Sequence, residues 1–393
     1  MDRQRRSIKS FAVIGLGFGD EGKGTTVNWL TKQLKDSLVV RYSGGQQAGH
    51  MVTLWNGTSH IFSNFGSGSL QGAPTHWSKY CSFDPVGMKR EWDILVKKSE
   101  SRPILYLDVA SPVTTPYEKY YNKNFSKAMK HGTCGVGVGA TFKREEEHVS
   151  LLVGDLQFPT VVKMKMSMIQ DYYISKVGYA VATAHDLEKF EEACNFINTE
   201  TNIRFTDYLK SVSHYIFEGS QGLLLDQSIG FFPHVTPSNT GTKNIREMVP
   251  NDAPYLYLVT RAYQTRHGNG PMTNEHLPNK IKDNPNDTNV QNEFQGAFRK
   301  SILDLDLLKY GIERDPYIRN TENRTLVITC LDLVGEYKYT IDGEVQECET
   351  MDEFLRGIST YLNIPEVIAC SDAEGNFETF NYKVEPKYLG EFG

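Results

Sequence analysis

The chain has 393 residues, of which 39% are hydrophobic and 23% charged, and its formal net charge is −6. That composition describes an ordinary globular protein of one large domain or two, and its acidic balance excludes a general attraction to nucleic acid or anionic lipid. No stretch approaches the roughly 18 apolar residues of a membrane span, and the six cysteines form no CxxC pair or Cys/His cluster at zinc spacing.

These features lead us to expect a reducing, cytoplasmic setting with neither a membrane nor a nucleic-acid partner. The basic opening "MDRQRRSIKS" reads as an N-terminal tail, residues 1–10. The apolar run behind it is only about five residues, too short for a signal sequence. Residues 11–393 are read as one domain.

The first predicted strand, "FAVIG", runs into "GLGFGDEGKGTTVNWL", Gly15 to Leu30. Gly17, Gly19, Gly22 and Gly24 let the backbone turn tightly and aim N–H groups at phosphate oxygens, with Lys23 adding positive charge. An ordinary strand-to-helix turn would carry similar glycines. Two departures from GxxxxGK[ST] sharpen the reading: Gly24 stands where a magnesium-binding hydroxyl should be, and Asp20 and Glu21 lie inside the loop. Without that hydroxyl a magnesium ion needs another oxygen, which Asp20 can supply, and the same carboxylate can act as a base toward a second substrate.

A helix is predicted over "TTVNWLTKQLKD", then a strand over "LVVRYSGG". The loop "YSGGQQAGHMV", Tyr42 to Val52, carries an isolated His50. Lone histidines are usually structural, but one behind a strand and a run of glycines suits an exposed imidazole that donates to a moving phosphoryl group. After the strand "ILYLDVA" comes a long amphipathic stretch, "SMIQDYYISKVGYAVATAHDLEKFEEACNFI".

"YIFEGSQG" is the fourth strand, with Gln221 between glycines at its end; an amide there suits the edge of a purine. "PHVTPSNTGT" places Thr236 and Ser238 nearby, and the strand "YLYLVTRAY" leads into "TRHGNGP". The polar segment Asn279–Asn292 reads as an insertion, because the strand "TLVITCLDL" follows it, and "DEFLRGISTYLNI" is a further helix. Short β-branched runs alternating with amphipathic stretches predict an α/β fold with a central, mostly parallel sheet. In such a sheet ligands gather at the carboxyl ends of the strands, so these loops are candidates for one site.

"GDEGKG", "AGH", "FEGSQGLLLD", "VTPSNT", "TRHGNGP" and the "NEF" of Asn292–Phe294 occur in the order found in adenylosuccinate synthetases, and the resemblance spans roughly residues 11 to 380. The resemblance implies the fold of that family, a homodimer, and a Mg²⁺-dependent ligase driven by a nucleoside triphosphate such as GTP. Such a ligase joins L-aspartate to a 6-oxopurine nucleoside monophosphate through a 6-phosphoryl intermediate. By the same resemblance Asp20 takes the N1 proton and ligates Mg²⁺ together with the carbonyl of Gly49. His50 stabilises the moving phosphoryl group, and Gln221 holds the O6 edge. Gly19, Glu21, Gly22, Lys23 and Gly24 bind the triphosphate. Gln47, Thr133, Cys134, His148, Gln221 and Thr236 take the monophosphate substrate.

The departures are informative. Gln47 stands for the family's asparagine, and "GTCGVGVG" for its "TTGRGIG" loop, so Cys134 and Val136 replace a threonine and an arginine. His148 aligns with an arginine that crosses the family's dimer interface, unless "KREEEH" is simply a solvated face. Arg299 alone remains of the family's arginine cluster after "NEF" and is the candidate for the α-carboxylate of aspartate. "TCLD" keeps Asp332 for a guanine but has Cys330 for lysine, and Ser371 lies in "CSDAEG", the counterpart of the family's "SxGP". ATP therefore stays open beside GTP as donor. The changes favour a member like the viral enzymes that aminate (d)GMP, with a housekeeping enzyme using IMP and GTP as the alternative. A nucleotide switch or non-catalytic subunit is the reading from another class.

Overall fold

The computed structural model describes residues 9–99, 102–125, 135–179, 182–204, 212–284 and 297–384. Thr133, Cys134 and the "NEF" of Asn292–Phe294 lie outside the described residues. The strands, in chain order, begin with β1 (Lys9–Gly15), β2 (Ser37–Arg41), β3 (His50–Thr53), β4 (Ser59–Phe62), β5 (Thr75–Trp77) and β6 (Leu105–Asp108). They continue with β7 (Asn202–Arg204), β8 (His214–Gly222), β9 (Tyr255–Arg261), β10 (Gln264–His267), β11 (Phe298–Ser301) and β12 (Leu303–Asp304). The last are β13 (Arg324–Thr329), β14 (Tyr337–Ile341), β15 (Glu344–Cys348), β16 (Glu366–Cys370) and β17 (Phe377–Asn381).

Ten of these form one sheet, ordered β17-β16-β13-β9-β1-β8-β2-β5-β6-β7. Neighbours run parallel except β16 and β17. All six β-branched runs fall in this sheet. The short β5 and β7 and the C-terminal β16 and β17 complete it; "THW" and "NIR" are too short to show a periodicity.

The unbroken apolar character of β1 follows from its central position. Ala12 and Ile14 pack into a core on one face and Val13 into another, and all three are fully buried. Helix Lys23–Gln33 covers the second face, with Val27 and Leu30 in the core that holds Val13. A third core lies at the β5–β6 end under helices Pro85–Lys98 and Ala184–Glu200.

The long amphipathic stretch resolves into helices Pro159–Val177 and Ala184–Glu200. Gly178 ends the first at φ 84°, a left-handed conformation that glycine adopts without steric cost, and the Thr183 side chain caps the second. The polar insertion lies between β10 and β11, which pair antiparallel, and the chain then rejoins the main sheet at β13.

Candidate active site

The parallel strands deliver their loops to one cavity of about 520 Å³ at their carboxyl ends. β1 contributes Phe18 and Asp20 to Thr25, β2 leads to Gln47–Met51, and β8 ends in Ser220 and Gln221. Arg261, Thr329 and Cys370 arrive from β9, β13 and β16. The β10–β11 hairpin adds Arg266, His267, Gly268 and Asn269, and the turn after β8 adds His234 to Pro237.

In the loop after β1, Gly19 and Gly22 have φ of 95° and 94°, and Asp20 has φ 61°. A Cβ on Gly19 would stand 2.6 Å from Gln221 Oε1, so glycine there makes room for the amide. The anion inside this cradle is the chain's own Glu21. Gly17 N and Gly19 N donate to its Oε1 at 3.1 and 2.8 Å, and Lys23 Nζ to its Oε2 at 2.5 Å. Both side chains of this ion pair are almost fully buried. Glu21 thus ties the loop to the helix start, while Gly22, Lys23, Gly24 and Thr25 keep cavity-lining positions.

Asp20 is half-buried in the cavity wall, and its carboxylate makes no hydrogen bond among the described residues. Burial raises its pKa above the usual carboxylate value, against the opposing pull of Arg261 and Lys23, which makes it a stronger base when charged. Arg261 Nε donates to the Asp20 carbonyl at 2.5 Å and so holds this left-handed residue in place.

His50 opens β3 and lines the cavity, but its ring is buried rather than exposed as the sequence suggested, because it packs onto a carboxylate of the sheet. Its Nδ1 meets Glu218 Oε1 at 2.5 Å, and Glu218 is fully buried on β8. Ser67 N donates to Glu218 Oε2 at 2.9 Å, and the Ser67 hydroxyl donates to Oε1. With Nδ1–H committed to the carboxylate, Nε2 is left as the working atom. Burial lowers the His50 pKa despite Glu218. Burial opposes the charge on Glu218, but His50, then Arg41 and Ser67, leave its pKa below the ordinary value.

Gln221, Gln47, Thr236 and Gly49 line the cavity, and Gln47 Oε1 is buried without a hydrogen-bond partner among the described residues. Ser238 is occupied: its hydroxyl accepts from Gly44 N at 2.9 Å. Gly19, expected to bind the triphosphate, is also off the lining, because its N–H is turned to Glu21, and four further expected residues lie off it. Asp332 and Ser371 are exposed, although their neighbours Cys330, Cys370 and Asp372 reach the cavity. His148 is exposed just beyond helix Val138–Glu146. Arg299 pairs with Glu275 at 3.0 Å and donates to the Gly268 and Gly270 carbonyls at 2.8 Å, so it staples the "HGNG" loop from behind.

Glu218, Arg261, Arg266, His267 and Thr329 were not singled out in the sequence. Glu218 carried a usable signal, because a charged residue inside an apolar strand run must find a partner when buried. Arg261 offered the same signal at the end of "YLYLVTR".

A family profile described as adenylosuccinate synthetase matches residues 12–349. The adenylosuccinate synthetase of Histophilus somni strain 129Pt is 31% identical over 283 residues, 68% of this chain and 65% of that protein. The chain therefore spans about 65% of the length of that relative. The adenylosuccinate synthetase of Thermoplasma volcanium is 28% identical over 369 residues, 86% of this chain and 80% of that one. Among solved structures, the fully ligated adenylosuccinate synthetase of Plasmodium falciparum superposes with a TM-score of 0.75 at 17% identity, covering 96% of this chain and 100% of that one. A cyanophage S-2L succinoaminodeoxyadenylate synthetase, bound to dGMP and to dATP as energy donor, gives 0.62 at 12% identity, covering 96% and 97%. At those identities the two structures speak for the fold.

Proposed function

The chain belongs to the adenylosuccinate synthetase family, and from that premise we propose that it condenses L-aspartate with a 6-oxopurine nucleoside monophosphate at the expense of a nucleoside triphosphate. The observation that carries this reading is the convergence of Asp20, His50 and Gln221, from three separate loops, on one cavity. A phosphate loop alone would serve a switch; a base, a phosphoryl-stabilising imidazole and a purine-facing amide together serve a two-substrate reaction.

In this reading Asp20 takes the N1 proton, and the electron pair passes to O6, which attacks the γ-phosphorus. The bond to the leaving diphosphate breaks as the O6–P bond forms. The aspartate amine then adds at C6, inorganic phosphate leaves with the former O6, and the amine gives up its proton. His50 Nε2 faces the phosphoryl group while Glu218 holds the ring's orientation. Gln221 faces the O6 edge. Lys23 and the amides of the helix start receive the triphosphate, with Glu21 bracing them from behind.

Mg²⁺ fits the donor set. Asp20, whose carboxylate has no hydrogen bond among the described residues, and Gly49 flank the cavity, and magnesium would take the Asp20 carboxylate and the Gly49 carbonyl beside substrate phosphates. When bound it supplies charge neutralisation to the phosphate oxygens.

The aminated base is proposed to be guanine, as GMP or dGMP, because Asp20 can accept from both N1–H and the 2-amino group. Cys330 at the cavity, and Asp332 away from its lining, leave ATP as well as GTP acceptable as donor. A homodimer is part of the proposal, with His148 the candidate to cross its interface. No helix among the described residues is long and apolar enough to cross a membrane.

The test is kcat/KM for IMP, dIMP, GMP and dGMP at saturating aspartate, with GTP and ATP each tried as donor. GMP or dGMP should be used at least as well as IMP, and loss of the 2′-hydroxyl should cost less than about tenfold. A hundredfold preference for IMP with both donors would identify a housekeeping enzyme. Triphosphate hydrolysis that ignores aspartate would identify a switch.

A further inference from the structure

We propose that His267 contacts a carboxylate of the amino-acid substrate, an assignment that rests on the condensation proposed above. His267 closes β10, pairs in register with Phe298 and packs edge-on against that ring, with centroids 5.8 Å apart and planes at 79°. Both sides of the following turn are stapled. Arg266 donates to the carbonyls of Asn269 and Pro271 at 3.1 and 2.7 Å, and Arg299 donates to those of Gly268 and Gly270. The imidazole is thus held on a rigid support at the cavity wall.

Its Nε2 is buried and meets no hydrogen-bond partner among the described residues. A buried polar atom of this kind is costly unless a ligand completes it. Nε2 can donate either as the imidazolium or as the matching neutral tautomer. His267 also lies close enough to Asp20 for their charges to interact. If Asp20 stands at purine N1, the neighbouring C6 and the amine that attacks it are on the same side of the cavity, and the acid groups carried by that amine come within reach of His267.

A carboxylate entering the cavity calls for a donor, preferably cationic. Lys23 is paired with Glu21 and assigned to the triphosphate, His50 is bonded to Glu218 through Nδ1 with its Nε2 assigned to the phosphoryl group, Arg261 is bonded to the Asp20 carbonyl and Tyr263, and Arg266 to loop carbonyls. Arg299, expected from the sequence to take the carboxylate, is spent on Glu275 and the turn. Residues 285–296, "PNDTNVQNEFQG", contain no lysine, arginine or histidine. Among the described residues, His267 offers the unpaired donor at the cavity wall for this task.

The experiment compares wild type, His267→Phe, which keeps a ring against Phe298 but removes the donor, and His267→Gln, which restores one. His234→Asn, at another histidine of the cavity wall, is the control. Thermal unfolding establishes that each variant is folded, and steady-state kinetics give KM for aspartate and for the nucleotide separately. His267→Phe should raise the aspartate KM by about tenfold or more, the loss expected for a hydrogen bond to a charged group. The nucleotide KM should move by less than about threefold, and His267→Gln should recover part of the loss. An unchanged aspartate KM, an equal rise in both KM values, or a larger aspartate effect from His234→Asn would overturn the assignment. A wild-type protein that forms no aspartate adduct would instead sink the condensation itself, which separates the two failures.

Discussion

His50 and Glu218 are 168 residues apart in the chain and 2.5 Å apart in the fold. The pairing makes β8, through a fully buried carboxylate, the support for an imidazole that rides on the β3–β4 hairpin. It predicts distinct kinetic signatures for the two residues. His50→Asn should lower kcat by about 10²–10³ with little change in nucleotide KM, because its hydrogen bond forms mainly in the transition state. Glu218→Gln should cost at least about tenfold in kcat by loosening the ring and its tautomer. The double variant should be no worse than about the poorer single one, since both act through one ring. A raised KM with unchanged kcat in His50→Asn would reduce it to a binding residue.

Asp20→Asn keeps the shape of the left-handed loop residue, since asparagine tolerates that conformation well. It should therefore fold normally, lower kcat by about 10²–10⁴ and weaken the dependence of rate on Mg²⁺ concentration. A rate within a few-fold of wild type would remove Asp20 from the chemistry.

The buried Glu21–Lys23 pair braces the loop after β1. Glu21→Ala strands the Lys23 ammonium and two glycine amides, which should cost about 3–5 kcal/mol of stability in denaturant unfolding. Glu21→Ala combined with Lys23→Met should recover part of that loss while abolishing turnover. If Glu21→Ala is as stable as wild type, the brace is illusory. Gly222→Ala tests the same junction, because its Cβ would collide with the Gly17 carbonyl and the Glu21 carboxylate. A lower melting temperature is expected.

His76, fully buried in β5, has its pKa pushed down to about 3 by burial, against a backbone hydrogen bond with Tyr106. The unfolded chain takes up a proton below about 6.5, whereas the folded chain refuses it until about 3. Stability therefore rises with pH across that window and falls on acidification, by at most about 1.4 kcal/mol per pH unit from this group. Urea midpoints at pH 7 and pH 5 should differ less for His76→Phe than for wild type. An unchanged difference would mean that other groups set the acid limb.

The sequence by itself determined six of the ten strands of the main sheet and the loops that gather at the cavity. Runs such as "FAVIG" and "TLVIT" are apolar on both faces because their strands are covered on both sides, and burial of that kind is written in local periodicity. Glycines at strand ends marked the cavity, since tight turns and close backbone approaches need them whatever the partner. Tertiary structure alone decided what each polar group faces. Glu21 and Lys23, two residues apart, were legible as charges near phosphate but not as a pair closed upon themselves. Glu218 was visible as an anomaly in a strand, but its partner lay on a distant hairpin. Arg299 reads as the single arginine left of a cluster, yet the β10–β11 register turns it onto Glu275 and the turn carbonyls, and the same register sets His267 at the cavity wall. Spacing along a chain reports which side of a strand or helix is buried. The partner of a buried charge is set by which loops the sheet order brings together, and that order is a property of the whole fold.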